Sequence, residues 1–148
     1  MPCNLYGTND NYDPLHSHVL AASVKKIVDA KDEHQDRVIM WGTGKAKREF
    51  MNVDEAAEAI VFLMQRQDVP HIINIGWGED VSIKDLSQLI AEKAGFKGEF
   101  VWDTSRPDGM PRKCLDVSNM KALGYQPKIN LSRGIEKAIE EYKVLKKG

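Results

Sequence analysis

The sequence predicts a single small α/β domain, and three observations support this fold class. Short apolar runs alternate along the chain with segments of helical periodicity, an order typical of α/β proteins. The 148 residues are enough to enclose one hydrophobic core. The composition, 42% hydrophobic and 29% charged, is that of a globular protein and not of a disordered chain.

The amino-terminal part predicts a strand end, a helix and a second strand. Residues 2–6 have the composition of a strand end. A helix is expected from Ser17 to about Lys31, because the apolar residues there repeat at helical spacing. Residues 37–41 predict a strand, followed by a glycine turn, and residues 49–53 are expected to return as its hairpin partner.

The middle of the chain predicts a helix capped by Asp54 and then a buried-type strand at residues 71–76. The apolar residues of this helix follow the i, i+3, i+4, i+7 spacing of a buried face. The expected members of that face are Ala57, Ile60, Val61 and Met64.

The carboxy-terminal part contains the clearest helix signals. Ser82 and Asp85 form a capping box with Asp in place of the usual Glu, and Gly95 stands where a left-handed cap would end that helix. A strand at residues 99–102 follows, then a loop, a short helix and a last helix that starts near Ser132. The last helix is expected to bury Ile135, Ala138, Ile139 and Tyr142.

The charge balance argues against a polyanionic partner. Lys and Arg total 21 against 22 for Asp and Glu, so the chain has no net field to attract nucleic acid or an anionic membrane. The sequence contains no apolar run of the ~20 residues that a membrane-spanning helix needs, and its amino terminus does not predict a signal peptide. Two cysteines predict neither a disulfide framework nor a metal site, so we expect a reducing, cytoplasmic setting.

Two segments near the amino terminus are candidates for ligand chemistry. Residues 4–12 join a strand end to a turn rich in Asn and Asp, which can contact a ligand or can satisfy only its own backbone. His16 and His18 flank Ser17 at a helix start, where free N–H groups favour an anion and an imidazole can transfer protons near neutral pH. A structural histidine is the alternative, and the H-x-H spacing alone does not predict a metal site.

An aromatic residue, a flexible turn and several cations follow one another after the second strand. Residues 41–44 are Trp-Gly-Thr-Gly, and Lys45, Lys47 and Arg48 come next. An aromatic ring beside cations can stack on a base and neutralise a diphosphate. A plain hairpin turn with solvated lysines explains the same pattern equally well.

The loop at residues 106–113 contains three cations, Arg106, Arg112 and Lys113, and one carboxylate, Asp108. Its two prolines restrict the backbone, so the charged groups would be held at low entropic cost, as a diphosphate clamp requires. A solvent-exposed connector is the alternative. Two motifs of nicotinamide enzymes are missing: the sequence has no G-x-G-x-x-G fingerprint, and no suitable helix contains a Tyr-x-x-x-Lys pair.

Taken together, these segments resemble the GDP-L-fucose synthase family. The resemblance lies in Asn-Leu-Tyr-Gly at 4–7, Ser-His-Val at 17–19, Trp-Gly-Thr-Gly at 41–44, Arg-Glu-Phe at 48–50 and Pro-Asp-Gly-x-Pro-Arg-Lys at 107–113. It covers essentially the whole chain in order. The tail at 115–127 is similar to extended short-chain dehydrogenases in general.

The resemblance implies an activity and a set of residue roles. The family converts GDP-4-keto-6-deoxy-D-mannose to GDP-L-fucose by epimerising C3 and C5 and then reducing C4 with NADPH. By resemblance, His18 is the catalytic acid and lies beside the cofactor together with Asn4 and Leu5. The residues implied to bind the GDP-sugar are Asn4, Lys26, Trp41, Arg48, Asp108 and Lys113. Lys26 is a departure, since the family usually has arginine there, with a bidentate phosphate contact.

A larger departure concerns the cofactor. The family's glycine-rich turn and its catalytic Ser, Tyr, Lys and Cys precede the position that matches Met1. We therefore expect residues 1–148 to be one GDP-sugar-binding domain of an extended short-chain dehydrogenase without its Rossmann domain, which residues 1–35 would contact. Such a chain is expected to bind a GDP-sugar without turnover, not to bind NADPH alone, and to associate with a Rossmann portion or with itself. The alternatives are a stand-alone nucleotide-sugar-binding module, a pseudoenzyme, or another NAD-dependent sugar epimerase or dehydratase.

Overall fold

The computed structural model describes residues 1–13 and 16–147, and this part of the chain has an α/β fold. The strands are β1 (Asn4–Tyr6), β2 (Arg37–Trp41), β3 (Lys47–Asn52), β4 (Asp80–Ser82), β5 (Glu99–Asp103) and β6 (Arg112–Lys113). The helices are α1 (Val19–Asp32), α2 (Val53–Met64), α3 (Ile83–Ala94), α4 (Ser118–Ala122) and α5 (Leu131–Leu145). The predicted α/β class is therefore confirmed.

Strand β3 organises the larger of two small sheets. It pairs in parallel with β1 and β6 and antiparallel with β4. Strands β2 and β5 form a separate parallel pair, in which Val38 lies opposite Phe100 and Met40 opposite Trp102. The prediction that residues 49–53 return as the hairpin partner of β2 was wrong. The partner of β2 comes instead from far along the chain, because its inward-facing residues Val38 and Met40 are buried in a core shared with α1 and α3.

Successive residues of β3 face two different hydrophobic clusters, as the period of two in a strand requires. Phe50 belongs to a larger cluster built mainly from α1, α3, α5 and β2. Its neighbour Met51 belongs to a smaller cluster with residues of α2 and α4. Helices therefore cover both faces of the sheet at β3. The two clusters hold β3 in place, and its residue Arg48 lines one of the cavities of the candidate site.

The carboxy-terminal helices agree with the sequence predictions. The Ser82 side chain accepts a hydrogen bond from the Asp85 N–H at 3.0 Å, and Gly95 ends α3 in the left-handed conformation with φ of 76°. Helix α5 begins at Leu131 after its cap Asn130 and buries all four predicted residues. These predictions succeeded because a capping box and a terminal glycine indicate α3, and an apolar stripe indicates α5.

Helix α2 forms as predicted, but its predicted cap and buried face were wrong. The cap is Asn52, whose side chain accepts a hydrogen bond from the Asp54 N–H at 3.0 Å. The residues expected to be buried include Ile60, Val61 and Met64, which are 48%, 55% and 80% exposed. The buried residues of α2 are Glu55, Ala56, Ala59 and Leu63. The small alanines allow the helix backbone to approach the strands closely, which the larger apolar residues would prevent.

The predicted buried strand at residues 71–76 was also wrong. Only Ile75 takes part in a bridge, to Pro2, and Ile72 is 77% exposed. The backbone contacts of this segment are made with residues at the start of the chain, including hydrogen bonds from the Cys3 N–H to the Ile75 oxygen and from the Ile75 N–H to the Met1 oxygen, each 2.9 Å.

Candidate functional site

Trp41 lies at the end of β2 with its indole 58% exposed. Two cations from different parts of the chain approach this ring. The Lys26 Nζ atom is 5.0 Å from a Trp41 ring centroid, and the guanidinium carbon of Arg106 is 5.2 Å from it. Both distances are within the range of cation–π attraction. The arrangement presents a flat aromatic surface flanked by positive charge, which suits an anionic ligand with an aromatic base.

Helix α1 positions Lys26 because its next residues, Ile27 and Val28, are fully buried and fix the helix against the core. The Lys26 ammonium donates a hydrogen bond to the Ile39 carbonyl oxygen of β2 at 3.1 Å. Burial lowers the pKa of Lys26 below its ordinary value of 10.5. A partly desolvated ammonium gains from meeting an anion, since its own hydration is incomplete.

Two adjoining cavities lie beside Trp41 and share Val19, Trp41 and Ile83 in their walls. The first, of about 250 Å³, is also lined by Ser17 and Lys26. The second, of about 210 Å³, is also lined by residues of β3 and of the loop between β5 and β6, namely Arg48, Pro107 and Asp108. An open groove of about 530 Å³ adjoins them across Lys26 and Trp41. Together they form a concave surface with apolar walls and a few charged groups, as ligand sites have.

Arg48 and Lys113 are brought together by the pairing of β3 with β6. They are register partners in this parallel pair, so their side chains project from the same face. Arg48 is half-buried, and its Nη1 donates a hydrogen bond to the Lys47 carbonyl oxygen at 2.8 Å. Lys113 is exposed. The pair therefore places two positive charges at the edge of the 210 Å³ cavity that Arg48 lines.

Asp108 contacts the glycine turn that follows Trp41. Its two carboxylate oxygens accept hydrogen bonds from the Thr43 N–H and the Thr43 hydroxyl, each at 2.6 Å. These hydrogen bonds from Thr43 hold the pKa of Asp108 below its ordinary value of 3.8. The carboxylate is therefore ionised at neutral pH and is engaged within the protein.

His18 is the cap residue of α1, and its side chain makes no capping hydrogen bond. The imidazole is exposed, and its neighbours Ser17 and Val19 line the 250 Å³ cavity. Within the described residues, the Ser17 hydroxyl is buried without a hydrogen-bond partner. His18 therefore stands between two residues that line the cavity, at a helix start whose N–H groups carry partial positive charge.

Asn4 and Leu5 line none of these three spaces. The Asn4 side-chain amide donates a hydrogen bond to the Glu49 carbonyl oxygen at 2.8 Å, which connects β1 to β3. Leu5 packs against the smaller hydrophobic cluster and lines a separate cavity of about 180 Å³, next to residues 6–10. Their predicted roles beside a cofactor therefore remain predictions.

A Tyr-x-x-x-Lys spacing does occur once, at Tyr142 and Lys146 in and just after α5. The Tyr142 ring is only 5% exposed, and its hydroxyl donates to Asp29 at 2.9 Å and accepts from Lys25 at 2.9 Å. Burial is the main cause of a raised pKa at Tyr142. This pair connects α5 to α1 and does not face the cavities beside Trp41.

Neither cysteine has the properties of a nucleophile. Burial, with a further contribution from the charge of Glu49, raises the pKa of Cys3 to about 12. Burial also raises the pKa of Cys114. In the part of the chain that the structure describes, no group of His, Cys, Asp or Glu could hold a metal ion. No helix among the described residues is long and apolar enough to cross a bilayer.

The structure brings Lys26, Trp41, Arg48 and Asp108 of the predicted site around adjoining cavities, with Lys113 beside Arg48. His18 lines neither cavity, although its neighbours Ser17 and Val19 line the first. The structure does not bring Asn4 and Leu5 to these cavities. Arg106 was not predicted as a partner of the indole, because no local pattern joins it to Trp41. Val19, an apolar residue of α1, lines both cavities.

Comparison with known proteins identifies what this chain is similar to. Residues 1–76 match the model of the NAD dependent epimerase/dehydratase family. The chain is 47% identical over 142 residues to the putative GDP-L-fucose synthase 2 of Arabidopsis thaliana, an alignment that covers 96% of this chain and 43% of that protein. The chain thus spans less than half the length of this curated relative.

Solved structures give the same result for the fold. A GDP-L-fucose synthetase from Naegleria fowleri bound to NADP superposes with a TM-score of 0.86 at 26% identity, over 99% of this chain and 46% of that one. A GDP-6-OMe-4-keto-L-xylo-heptose reductase from C. jejuni superposes with a TM-score of 0.84 at 32% identity, over 97% of this chain and 53% of that one. The fold is therefore that of part of a nucleotide-sugar-modifying enzyme.

Proposed function

This chain belongs to the NAD dependent epimerase/dehydratase family, and from that premise we propose that it is the GDP-sugar-binding portion of an enzyme like GDP-L-fucose synthase. Such an enzyme epimerises C3 and C5 of GDP-4-keto-6-deoxy-D-mannose and reduces C4 with NADPH. We propose that the isolated chain binds the nucleotide-sugar and does not turn it over.

The observation that carries this proposal is that two cations from separate elements lie close to the indole of Trp41. Lys26 comes from α1 and Arg106 from the β5–β6 loop, and both lie about 5 Å from the ring. Arg48 and Lys113 add two more positive charges near the adjoining cavity. A nucleoside diphosphate matches this combination, because its base can stack on the indole while its phosphates meet arginine and lysine.

The residues present do not fit NADPH by themselves. Dinucleotide binding in related folds uses a glycine-rich turn whose backbone approaches the pyrophosphate. The glycine turn here, residues 42–44, is filled from within: a Cβ at Gly42 would lie 2.2 Å from Asp108, and one at Gly44 would lie 2.6 Å from Trp102. The Thr43 N–H of this turn is already donated to Asp108, so it is not free to bind a phosphate. We therefore assign no step of the reaction to a cofactor held by this chain, although NADPH supplies the hydride in the proposed parent reaction.

The proposed roles of the chain's own residues are binding, orientation and one proton transfer. Lys26, Arg48 and Lys113 would neutralise the diphosphate, and Trp41 would hold the base. Asn4, the first residue of β1, lines none of the cavities beside Trp41, so the substrate contact implied for it by family resemblance stays a prediction. His18, exposed at the start of α1, would donate a proton to a sugar carbon of the parent enzyme's substrate after a base elsewhere in that enzyme has removed the original proton from the opposite face.

Calorimetric titration of the chain with GDP, with UDP as the comparison ligand, tests the proposal. We expect binding of GDP in preference to UDP. Lys113→Ala should weaken GDP binding about tenfold, because a charge-assisted contact to phosphate is lost. Lys137→Ala is the matched control, since Lys137 is an exposed lysine on α5 outside the cavities.

Three outcomes would contradict parts of the proposal. A chain that is folded by circular dichroism but binds neither nucleotide would contradict a nucleotide-sugar site in this portion. Tighter binding of UDP than of GDP would favour another NAD-dependent sugar epimerase as the parent enzyme. Turnover of GDP-4-keto-6-deoxy-D-mannose with NADPH by the isolated chain would contradict the expected lack of catalysis.

A further inference from the structure

Both oxygens of the Asp108 carboxylate accept hydrogen bonds from the turn that follows Trp41. One oxygen accepts from the Thr43 N–H and the other from the Thr43 hydroxyl, both at 2.6 Å. These are short, charge-assisted hydrogen bonds, which are stronger than neutral ones. The side chain therefore connects the β5–β6 loop to the end of β2 across 65 residues of sequence.

The turn itself is built around this carboxylate. Gly42 has φ of 76°, and a Cβ there would lie 2.2 Å from Asp108 Oδ1. Gly44 has φ of 73°, and a Cβ there would lie 2.6 Å from the Trp102 ring. Only glycine satisfies both the left-handed conformation and the close approach. Thr43 is then the one residue of the turn whose side chain can hold the carboxylate.

The contact also links the two sides of the candidate site. Trp41 directly precedes the turn, and Arg106 lies two residues before Asp108 with its guanidinium carbon 5.2 Å from the Trp41 ring centroid. Fixing Asp108 to Thr43 therefore fixes the distance between the indole and the loop that carries Arg106. A carboxylate is, in contrast, an unfavourable direct neighbour for a diphosphate, because like charges repel.

We infer that Asp108 is a positioning residue of the proposed site, which orients Trp41 through Thr43 and does not contact the ligand. The identity of the ligand in this inference rests on the proposed function. The inference replaces the expectation, drawn from family resemblance, that Asp108 binds the sugar nucleotide directly.

The first test needs no ligand. The indole N–H signal of Trp41 in a ¹⁵N-labelled chain, assigned with Trp41→Phe, reports the environment of the ring. We expect Asp108→Ala to shift or broaden this signal and Asp108→Asn to leave it nearly unchanged, because an Asn side chain can still accept from the Thr43 N–H and donate to its hydroxyl. An unchanged Trp41 signal in a folded Asp108→Ala chain would overturn the inference.

The second test is a double-mutant cycle in GDP binding. We expect Asp108→Ala to weaken GDP binding about tenfold and Thr43→Val about threefold, with the double variant no weaker than Asp108→Ala alone. Asp108→Asn should bind GDP at least as tightly as the original chain. Direct contact between the carboxylate and the ligand predicts the opposite. The affinity losses of Asp108→Ala and Thr43→Val would then multiply in the double variant, and Asp108→Asn would bind GDP as weakly as Asp108→Ala.

The two tests separate this inference from the proposed function. A folded chain that does not bind GDP would overturn the proposed function, and the Trp41 signal would still decide whether Asp108 positions the indole. If the chain binds GDP and the double variant loses affinity by the product of the two single losses, the proposed function is supported and the inference is overturned.

Discussion

Gly134 in α5 packs directly against the hydroxyl of Tyr6 at the end of β1. A Cβ at position 134 would lie 1.8 Å from the Tyr6 oxygen and 2.7 Å from its ring. Both residues are buried, and Tyr6 belongs to the larger hydrophobic cluster. This contact fixes the strand that contains Asn4 and Leu5 against the last helix of the chain.

We expect Gly134→Ala to destabilise the fold by about 2 kcal/mol, because the added methyl group must displace the Tyr6 ring in a close-packed core. At an exposed helix position the same change would stabilise by about 0.5–1 kcal/mol through helix propensity. Urea unfolding followed by circular dichroism measures the difference. In a Tyr6→Leu background the cost of Gly134→Ala should shrink, and an equal cost in both backgrounds would contradict the proposed clash.

The exposed face of α2 leads to a second prediction. Met64 is 80% exposed and its neighbour Leu63 is 7% exposed. Met64→Ser should change the free energy of unfolding by less than about 0.5 kcal/mol, whereas Leu63→Ala should cost about 2–4 kcal/mol. Urea unfolding of the two variants tests this directly. A large loss of stability in Met64→Ser would mean that the originally predicted face of α2 is the buried one.

The sequence could specify an element where two signals coincided. Helix α3 has a capping side chain and a terminal glycine, and both were confirmed. Helix α2 has two possible stripes with the same spacing, one of large residues and one centred on Ala56 and Ala59. Periodicity does not distinguish them, since the choice depends on how closely the helix approaches the strands. The partner of β2 was unpredictable for a similar reason, because pairing with β5 depends on tertiary packing.

Some residues of the candidate site could be predicted from the sequence, and others could not. Family resemblance identified Lys26, Trp41 and Arg48, and the structure places them around shared cavities. Neither the resemblance nor local spacing indicated that Arg106 lies over the indole or that both oxygens of Asp108 bind Thr43. Those contacts join residues about 65 positions apart, and only the folded arrangement of β2 and the β5–β6 loop creates them.

The thiol of Cys3 should be nearly unreactive in the folded chain. Burial and the charge of Glu49 raise its pKa to about 12, so at pH 8 only about one molecule in 10⁴ carries the thiolate that reacts. We expect alkylation of Cys3 by iodoacetamide at pH 8 to be at least about 100-fold slower in the folded chain than in denaturant, where the thiol has an ordinary pKa. Peptide mapping by mass spectrometry follows the alkylation of each cysteine separately. Rapid alkylation of Cys3 in the folded chain would contradict the prediction that its thiol is unreactive.

Lys26 provides a test of how the site neutralises its ligand. Burial lowers the pKa of Lys26 from 10.5, so its charge is lost as the pH rises through a value below the ordinary one. If this ammonium meets the diphosphate, GDP affinity should be constant near pH 7 and should fall as the solution becomes alkaline. Lys26→Arg should remove this alkaline decline, because arginine stays charged throughout the range.

At pH 7 we expect Lys26→Arg to tighten GDP binding about threefold to tenfold, because a guanidinium can make two parallel hydrogen bonds to phosphate where an ammonium makes one. Lys26→Gln, which removes the charge at similar length, should bind weakly at every pH. Calorimetric titration of the three chains from pH 7 to 10 separates these effects. Equal alkaline declines in the Lys and Arg chains would place the titrating group elsewhere and would remove Lys26 from the proposed phosphate contacts.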